Sequence, residues 1–152
     1  MANDDLGAWI RDARRRTLAL ASALDADDLL GPRLAIVNPP LWELGHVGWF
    51  QDRWALRHAA GRPPFRADGD ALYDSAAIPH DARWTLPLPA LAETLEDLRA
   101  IERAVLEAIG RGVDPYFVRL SVLHEDMHFE AMAFTRQTLG GAPPPLPDAA
   151  AV

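Results

Sequence analysis

The sequence contains no cysteine, which excludes disulfide bonds and sites in which thiolates hold zinc. Histidine and the carboxylates are therefore the strong metal ligands that the chain offers. Basic residues are also in the minority, with 15 Lys and Arg against 22 Asp and Glu and a formal net charge of −7. Because phosphate backbones attract an excess of cations, nucleic acid is not expected as a partner.

Long apolar runs are missing as well. The N-terminal residues 1–5 are acidic, so no signal peptide is predicted, and no segment is apolar for long enough to span a bilayer. A cytoplasmic location without a membrane partner is the expectation. The 152 residues, 49% of them hydrophobic, suit one domain with a substantial core.

Apolar residues recur at helical spacing in four segments, which predicts helices over about 3–24, 39–60, 89–109 and 115–139. Short connections predict antiparallel neighbours, whereas the aperiodic stretch 61–87 predicts a long crossover that lets helices two and three run parallel. The prediction is an all-α, up-down-down-up four-helix bundle over residues 1–140. The proline-rich residues 141–152 are predicted to form a linker or tail.

Local patterns add expectations about helix starts and faces. Asn38 before Pro39 and Asp114 before Pro115 match a capping residue followed by proline at the first helical position. On the first helix, Trp9 belongs to the predicted apolar stripe. The basic cluster there is interpreted as a solvated face offset by nearby aspartates: Arg11, Arg14, Arg15 and Arg16. On the last helix, the predicted inward stripe is Phe117, Leu120, Met127, Ala131 and Phe134.

Two histidines on the last helix are spaced for metal binding. His124 and His128 lie four residues apart, so an α-helix places them on one face, one turn apart. Such a pair suits two adjacent positions of a transition metal, although two packed or surface histidines would show the same spacing. His46 on the second helix is the candidate third ligand. Gly45 and Gly48 beside it indicate a close approach, either of another helix or of a ligand.

Three glutamates near these histidines are candidate acceptors for the ring nitrogens that face away from a metal, or else belong to solvated helix faces: Glu43, Glu125 and Glu130. The remaining histidines, His58 and His80, are interpreted as surface or loop residues.

Residues 124–128 also match the H-E-x-x-H pattern of zinc proteases, with Glu125 as the general base. That class of enzyme needs a third ligand, usually downstream, and no histidine follows His128. No predicted strand is present to align a peptide substrate. Both points disfavour a protease.

Separated motifs along the chain resemble a known family. Residues 38–50 (NPPLWELGHVGWF) and 124–128 (HEDMH) resemble the DinB-like N-terminal domain of the ergothioneine-biosynthesis sulfoxide synthases. Residues 72–75, 80–84 and 135–140 look more narrowly like the selenoneine synthase branch. The resemblance extends from Leu6 to Gly140.

The resemblance implies that His46, His124 and His128 bind iron(II). It implies an oxygen-dependent reaction that joins a sulfur or selenium donor to the imidazole carbon of trimethylhistidine. Candidate substrate contacts are Tyr73 in the crossover, Met127, where the family often has glutamine, and Arg83, for which a plain surface arginine is the alternative. Family members continue into a domain like the formylglycine-generating enzyme. The chain is therefore expected to be an incomplete catalyst that needs such a domain in cis or in trans.

Two other classes of function remain open. A DinB-like, metal-dependent thiol transferase would use zinc or nickel on the same three histidines. A non-catalytic helical interaction module would merely bury them, leaving polar groups that each need a partner at a cost of about 1–3 kcal/mol.

Overall fold

The computed structural model describes residues 3–145, and within that range it contains helices and no strand. Residues 146–152 of the predicted linker lie outside the described residues. The elements are α1 (Asn3–Ala21), α2 (Pro40–Gln51) continuing as a π-helix (Asp52–Ala59), α3 (Gly69–Tyr73), a 3₁₀ turn (His80–Trp84), α4 (Leu91–Gly110) and α5 (Pro115–Thr138). The all-α prediction is confirmed. None of the helices in the described range is long and apolar enough to cross a bilayer.

Helices α1, α2, α4 and α5 form a bundle in which α5 packs between α1 and α2, and α4 packs between them on the other side. Helix α5 runs parallel to α1, since Arg14 pairs with Glu125 while Ala23 meets Arg136. The order reverses against α2, where Gln51 meets Ser121 and Glu43 meets His128. The directions are therefore up for α1 and α5 and down for α2.

Helix α4 runs antiparallel to α1, because Arg14 donates to the carbonyl of Leu98 whereas Gly7 faces Leu106. The bundle is thus up-down-down-up, as predicted. One aspect differs from expectation: both short connections join helices at opposite corners of the bundle, α1 with α2 and α4 with α5, rather than side by side. The connecting residues 22–39 include three turns and are long enough to cross the bundle end.

The two helix starts differ in how well the sequence predicts them. Helix α5 begins as expected, with the Asp114 side chain accepting from the backbone N–H of Tyr116 at 2.9 Å. Helix α2 begins at Pro40, and its N-cap position is Pro39 with no side-chain cap. Asn38 is therefore not the cap, and its amide is used elsewhere.

The predicted apolar faces of α1 and α5 both need correction. Trp9 is 42% exposed, and on α5 Met127 is 54% and Phe134 70% exposed. Apolar residues occur on more than one side of α5, and the inward side is the one that carries small and polar residues as well. The buried residues of α5 are Val118, Ser121, Val122, Glu125 and Met132.

Arg14 also differs from its prediction. Its side chain is 1% exposed and forms a bidentate pair with Glu125, which is also 1% exposed. It also donates to Gln51 at 2.8 Å and to the carbonyl of Leu98. The prediction that Arg14 belongs to a solvated face is wrong, because it ties all four long helices together at the centre of the bundle. Arg16, by contrast, pairs with Asp12 as expected of a surface residue.

The glycines of α2 allow close packing. A Cβ on Gly45 would lie 2.3 Å from the ring of Tyr73, and one on Gly48 would lie 3.0 Å from Leu98. Of the two explanations for these glycines, tight packing is the one that the structure supports. In the structure the crossover comprises residues 60–90. It places α3 against α2, directly behind the candidate ligand His46.

Candidate metal centre

The structure brings the three predicted ligands together at the interface of α2 and α5. One ring nitrogen from each of His46, His124 and His128 lies within 4.8 Å of the other two. The ring centroids are 5.0 Å apart for His46–His124, 4.9 Å for His46–His128 and 4.5 Å for His124–His128. Lone pairs from two helices can therefore converge on one ion.

Burial keeps two of these imidazoles, those of His46 and His124, neutral. It lowers the pKa of His46 to about 4, an effect only partly opposed by the hydrogen bond that the His46 ring donates to the Tyr73 carbonyl. Burial also lowers the pKa of His124 to about 2, and the two neighbouring histidines add to the shift. Since a metal binds the neutral ring, both side chains are in the binding form at neutral pH.

A backbone carbonyl orients His46. Its Nδ1 lies 2.8 Å from the carbonyl oxygen of Tyr73. Because a carbonyl can only accept, Nδ1 carries the proton and Nε2 keeps its lone pair for a metal. Gly45 makes this contact possible, since it lets the Tyr73 ring pack against the α2 backbone.

The other two rings have buried nitrogens without partners. His124 Nδ1 and His128 Nδ1 are both enclosed and accept or donate no hydrogen bond. Glu43, which is 4% exposed, places Oε1 at 3.8 Å from His128 Nδ1, and its Oε2 is also without a partner. Glu43 therefore lies next to a ligand ring, but the predicted hydrogen bond to that ring is not formed at this distance. Orphaned polar groups of this kind are expensive in a protein interior and call for an explanation.

Aromatic rings enclose the cluster. Trp42 stacks on His46 with centroids 4.7 Å apart and planes 11° from parallel, and Trp49 stacks on the same histidine at 5.6 Å. Phe50 stacks on His124 at 3.6 Å and 8°. These contacts limit the rotation of two ligand rings and exclude water from their flanks.

The other two predicted glutamates do not support the ligands. Glu125 points into the bundle, where both its oxygens accept from Arg14 at 2.9 and 3.1 Å. Glu130 is exposed on α5, and in the described part of the chain no hydrogen bond joins it to any of the three rings. Glu130 thus matches the alternative of a solvated helix face, whereas Glu125 matches neither interpretation. Because one step along a helix turns a side chain by about 100°, Glu125 and His124 face different neighbours. The Glu125 carboxylate, which a zinc protease would need as its general base, is therefore held in an ion pair with Arg14.

The predicted substrate residues occupy different environments. The Tyr73 ring is 3% exposed, and burial raises the pKa of its hydroxyl to about 12. The part of Tyr73 that contacts the His46 ring is its backbone carbonyl. Arg83 is half-buried near Trp42, and Met127 is exposed beside His128 on the outer face of α5.

The remaining histidines stand apart from the cluster. His58 is exposed and packs on Phe117. His80 lies in the 3₁₀ turn, where its Nε2 is 2.7 Å from the carbonyl oxygen of Val37. Both are surface or loop residues, as expected.

Several contributors to the site were not foreseen from the sequence: Asn38, Trp42, Trp49 and Phe50. A usable signal existed for two of them. Trp42 and Phe50 lie four residues before and after His46, which on a helix places their side chains over the same face. Nothing local distinguishes Asn38 from a helix cap.

The donor set fits a transition metal. Three neutral imidazoles suit iron, zinc or nickel, and they leave coordination positions for other ligands. The two orphaned Nδ1 atoms and the lone pair of His46 Nε2 mark the cluster as built for more than packing.

Comparison with known proteins gives a family and a set of relatives. The sequence profile of the DinB superfamily matches residues 10–132. A protein named hercynine oxygenase from Mycolicibacterium thermoresistibile is 31% identical over 144 residues, which are 91% of this chain and 32% of the relative. Proteins with the same name from Mycobacterium tuberculosis and Mycolicibacterium smegmatis are 27% and 29% identical, with 92% and 87% of this chain matched to 34% and 32% of theirs. The chain thus spans about a third of the length of these relatives.

Proposed function

The chain belongs to the DinB superfamily, and on that premise we propose that it is the metal-binding domain of a non-haem iron(II) enzyme. The enzyme uses dioxygen to join a sulfur or selenium donor to the imidazole carbon of trimethylhistidine, as in ergothioneine or selenoneine biosynthesis. The observation that carries the proposal is the cluster of three converging, buried histidines. The names of the relatives refer to hercynine, which is trimethylhistidine, and to an oxygenase. They support trimethylhistidine as the substrate and dioxygen as the co-substrate.

The protein's own residues prepare the ligands. His46 is held through Nδ1 by the Tyr73 carbonyl, and His128 lies next to the Glu43 carboxylate. Bound iron would supply the redox chemistry that dioxygen requires. Stacking by Trp42 and Phe50 holds two of the rings and keeps water from their faces.

Roles for the substrate contacts extend the proposal. Met127 adjoins His128 and is exposed, so it faces whatever covers the site. Its thioether gives the pocket a softer and less polar wall than glutamine would. Arg83 carries a cation on the crossover near the ligands and is suited to an anionic donor, whereas Tyr73 acts through its carbonyl and the packing of its ring.

A second domain is part of the proposal. The relatives are about three times as long as the region matched here. The outer face of α5 also carries four large apolar side chains that are more than half exposed: Tyr116, Leu123, Met127 and Phe134. An exposed apolar face next to a candidate active site indicates an interaction surface. We assign it to a domain like the formylglycine-generating enzyme, in cis or in trans, which would complete the substrate pocket.

Metal content is the first test. Protein purified without oxygen and without a metal-affinity column is expected to contain, or to take up, one iron(II) per chain. His46→Ala, His124→Ala and His128→Ala are each expected to abolish tight binding, while the exposed His58→Ala serves as the matched control. Wild-type protein that takes up no transition metal would contradict the proposal.

Activity is the second test. The chain alone is expected to bind iron and to form no carbon–sulfur or carbon–selenium bond from trimethylhistidine. Addition of the second domain is expected to restore turnover. Robust product formation by residues 1–152 alone would place the whole active site within the bundle and contradict the two-domain part of the proposal.

The metal also separates this proposal from its nearest alternative. Three imidazoles suit zinc and nickel as well as iron. Stoichiometric zinc or nickel that iron does not displace, together with metal-dependent thiol transfer, would favour a thiol transferase. An interaction module without metal is disfavoured by the orphaned ring nitrogens, which such a protein would have no reason to retain.

A further inference from the structure

Arg83 occupies an unusual position in the 3₁₀ turn of the crossover. Its Nη1 donates to Asn38 Oδ1 at 2.6 Å, and its guanidinium carbon lies 4.1 Å from the centre of the Trp42 ring. Its Nε is buried without a partner. These contacts direct the side chain toward the start of α2, and both contacted residues are themselves connected to candidate metal ligands.

The first connection runs through hydrogen bonds. Asn38 donates from Nδ2 to Glu43 Oε1 at 2.8 Å, and that oxygen is 3.8 Å from His128 Nδ1. An amide offers an acceptor on one side and a donor on the other. Because Arg83 can only donate, it fixes Asn38 with the oxygen toward itself and the amino group toward Glu43. Without Arg83, the amide could turn over and present its oxygen to the carboxylate.

The second connection runs through stacked rings. Trp42 is 1% exposed, and its indole N–H donates to the Leu72 carbonyl at 2.8 Å. The same indole stacks almost parallel on the imidazole of His46. Arg83 packs on this indole as a cation, in an enclosed setting where such contacts are strongest. It therefore helps to hold the ring against which His46 rests.

Charge adds to the geometry. Glu43 is a buried carboxylate, and a buried charge is stable only when it is compensated. Burial lowers the pKa of Arg83, and the negative charge of Glu43 acts in the opposite direction. The two groups thus interact across Asn38, and the neutral amide between them transmits the orientation.

We infer that Arg83 is a positioning residue for the metal centre, acting on His128 through Asn38 and Glu43 and on His46 through Trp42. This inference rests on the proposed metal site. It differs from a role in binding a substrate anion, because a positioning residue affects the metal in the absence of substrate. Loss of a group that orients a metal ligand typically costs 10–100-fold in affinity.

The test compares metal affinity in the whole chain without any substrate. Cobalt(II) serves as the probe, titrated anaerobically against a competing chelator, and the visible absorption of the bound ion reports the geometry of the ligands. Arg83→Met is expected to weaken cobalt affinity by about tenfold and to change the absorption bands. Asn38→Ala, which breaks only the hydrogen-bonded connection, is expected to weaken affinity by a smaller factor. The double variant is expected to lose less than the product of the two factors, because the substitutions share one connection.

Two further variants make the result decisive. Arg33→Met is the matched control: Arg33 contacts Asp81 of the same turn at 3.7 Å, but it is exposed and has no connection to a ligand. It is expected to bind cobalt like the wild type. Arg83→Lys keeps the charge but loses the planar group, so an intermediate affinity is expected. It replaces Arg83→Met if that variant does not fold.

The outcomes are separable. Wild-type protein that binds no cobalt would overturn the proposed metal site and this inference with it. Wild-type protein that binds cobalt, with Arg83→Met or Arg83→Lys and Asn38→Ala at wild-type affinity and with unchanged spectra, would overturn the inference alone.

Discussion

Two buried polar clusters lie next to each other in this bundle, and they are built in opposite ways. The Arg14 cluster is closed: the guanidinium donates to both oxygens of Glu125, to Gln51 and to the carbonyl of Leu98. The histidine cluster is open, because His124 Nδ1 is buried without a hydrogen-bond partner and His128 Nδ1 lies 3.8 Å from the Glu43 carboxylate, too far for a hydrogen bond. Both clusters draw on α2 and α5, so the difference lies in the side chains and not in the architecture.

The contrast distinguishes a cluster that stabilises the fold from a cluster that is suited to binding a ligand. A fully paired ion pair needs nothing further, and its function is met when the helices assemble. Unpaired nitrogens in an enclosed site cost free energy in every folded molecule, and they persist only where something else repays the cost. We attribute the cost at the histidine cluster to metal binding. Each prediction below tests one side of this contrast.

Breaking the closed cluster is expected to have the largest effect on stability. Arg14→Met leaves Glu125 buried without a cation, which is expected to lower the free energy of unfolding by about 3–5 kcal/mol. Chemical denaturation of the metal-free protein measures the change. The double variant Arg14→Met, Glu125→Leu is expected to recover much of the loss, and Arg103→Met, at an exposed pair with Glu96, is expected to change little. A loss below about 1 kcal/mol in the single variant would mean that the pair behaves like a surface salt bridge.

Acid is expected to destabilise the open cluster. The ordinary pKa of histidine is 6.5, whereas in the fold it is about 4 for His46 and about 2 for His124. The unfolded chain therefore takes up protons first, and stability is lost as the pH falls from about 6.5 toward 4. The loss is expected to be smaller than that of Arg14→Met, because local opening lets water reach the partly exposed His124.

Melting temperatures of the metal-free protein across this pH range measure the effect. Burial raises the pKa of Asp52 and Glu102, so these carboxyls act in the opposite direction. The variant His124→Phe isolates the contribution of the histidine and is expected to flatten the pH dependence. An equal pH dependence in the variant and the wild type would contradict the assignment.

Crowding the support of His46 is expected to damage both stability and metal binding. A Cβ at position 45 would lie 2.3 Å from the Tyr73 ring, so Gly45→Ala displaces the residue whose carbonyl holds His46. A loss of about 1–3 kcal/mol is expected from overpacking, together with a roughly tenfold loss of metal affinity. Gly110→Ala is the control, because a Cβ there meets nothing within 4 Å. Unchanged metal affinity in Gly45→Ala would show that the carbonyl does not orient the ligand.

Filling the open cluster with an apolar ring is expected to have the smallest effect, and in the opposite direction. His124→Phe removes an orphaned nitrogen and keeps a ring to stack on Phe50. The metal-free variant is expected to be about 1 kcal/mol more stable than the wild type. It is also expected to lose the stabilisation that metal gives the wild type. His58→Phe, at an exposed position, is the control, and a metal-free His124→Phe that is clearly less stable than the wild type would mean that the histidine is structural.

Much of this contrast could be predicted from local sequence signals, and the remainder could not for physical reasons. The i, i+4 spacing of His124 and His128, the proline at the start of α5 and the long crossover are local features, and the structure agrees with each. The prediction for Arg14 is wrong because a charged residue is ordinarily solvated, and the one for Glu125 is wrong because its neighbour in sequence, His124, faces a different helix. Each nevertheless lies at helical spacing from buried apolar neighbours. This spacing is compatible with a buried ion pair.

Other features depend on contacts between distant segments. Asn38 has the sequence context of a helix cap, and only its contact with Arg83, 45 residues away, shows that the amide is used differently. The sequence does not distinguish the outer face of α5 from the inner one, because apolar residues occur on both. Which face is buried depends on where α1 and α2 pack, and their placement at opposite corners was itself not predicted.

The central claim is that the open cluster holds one metal ion through three histidines. The most direct measurement is anomalous diffraction at the iron edge from crystals of the protein loaded with iron(II) without oxygen. A single strong peak is expected between α2 and α5, at about 2.1 Å from one nitrogen each of His46, His124 and His128, a distance typical of metal–imidazole bonds. A peak at the exposed carboxylates instead, or no peak with the three imidazoles left in place, would contradict the claim.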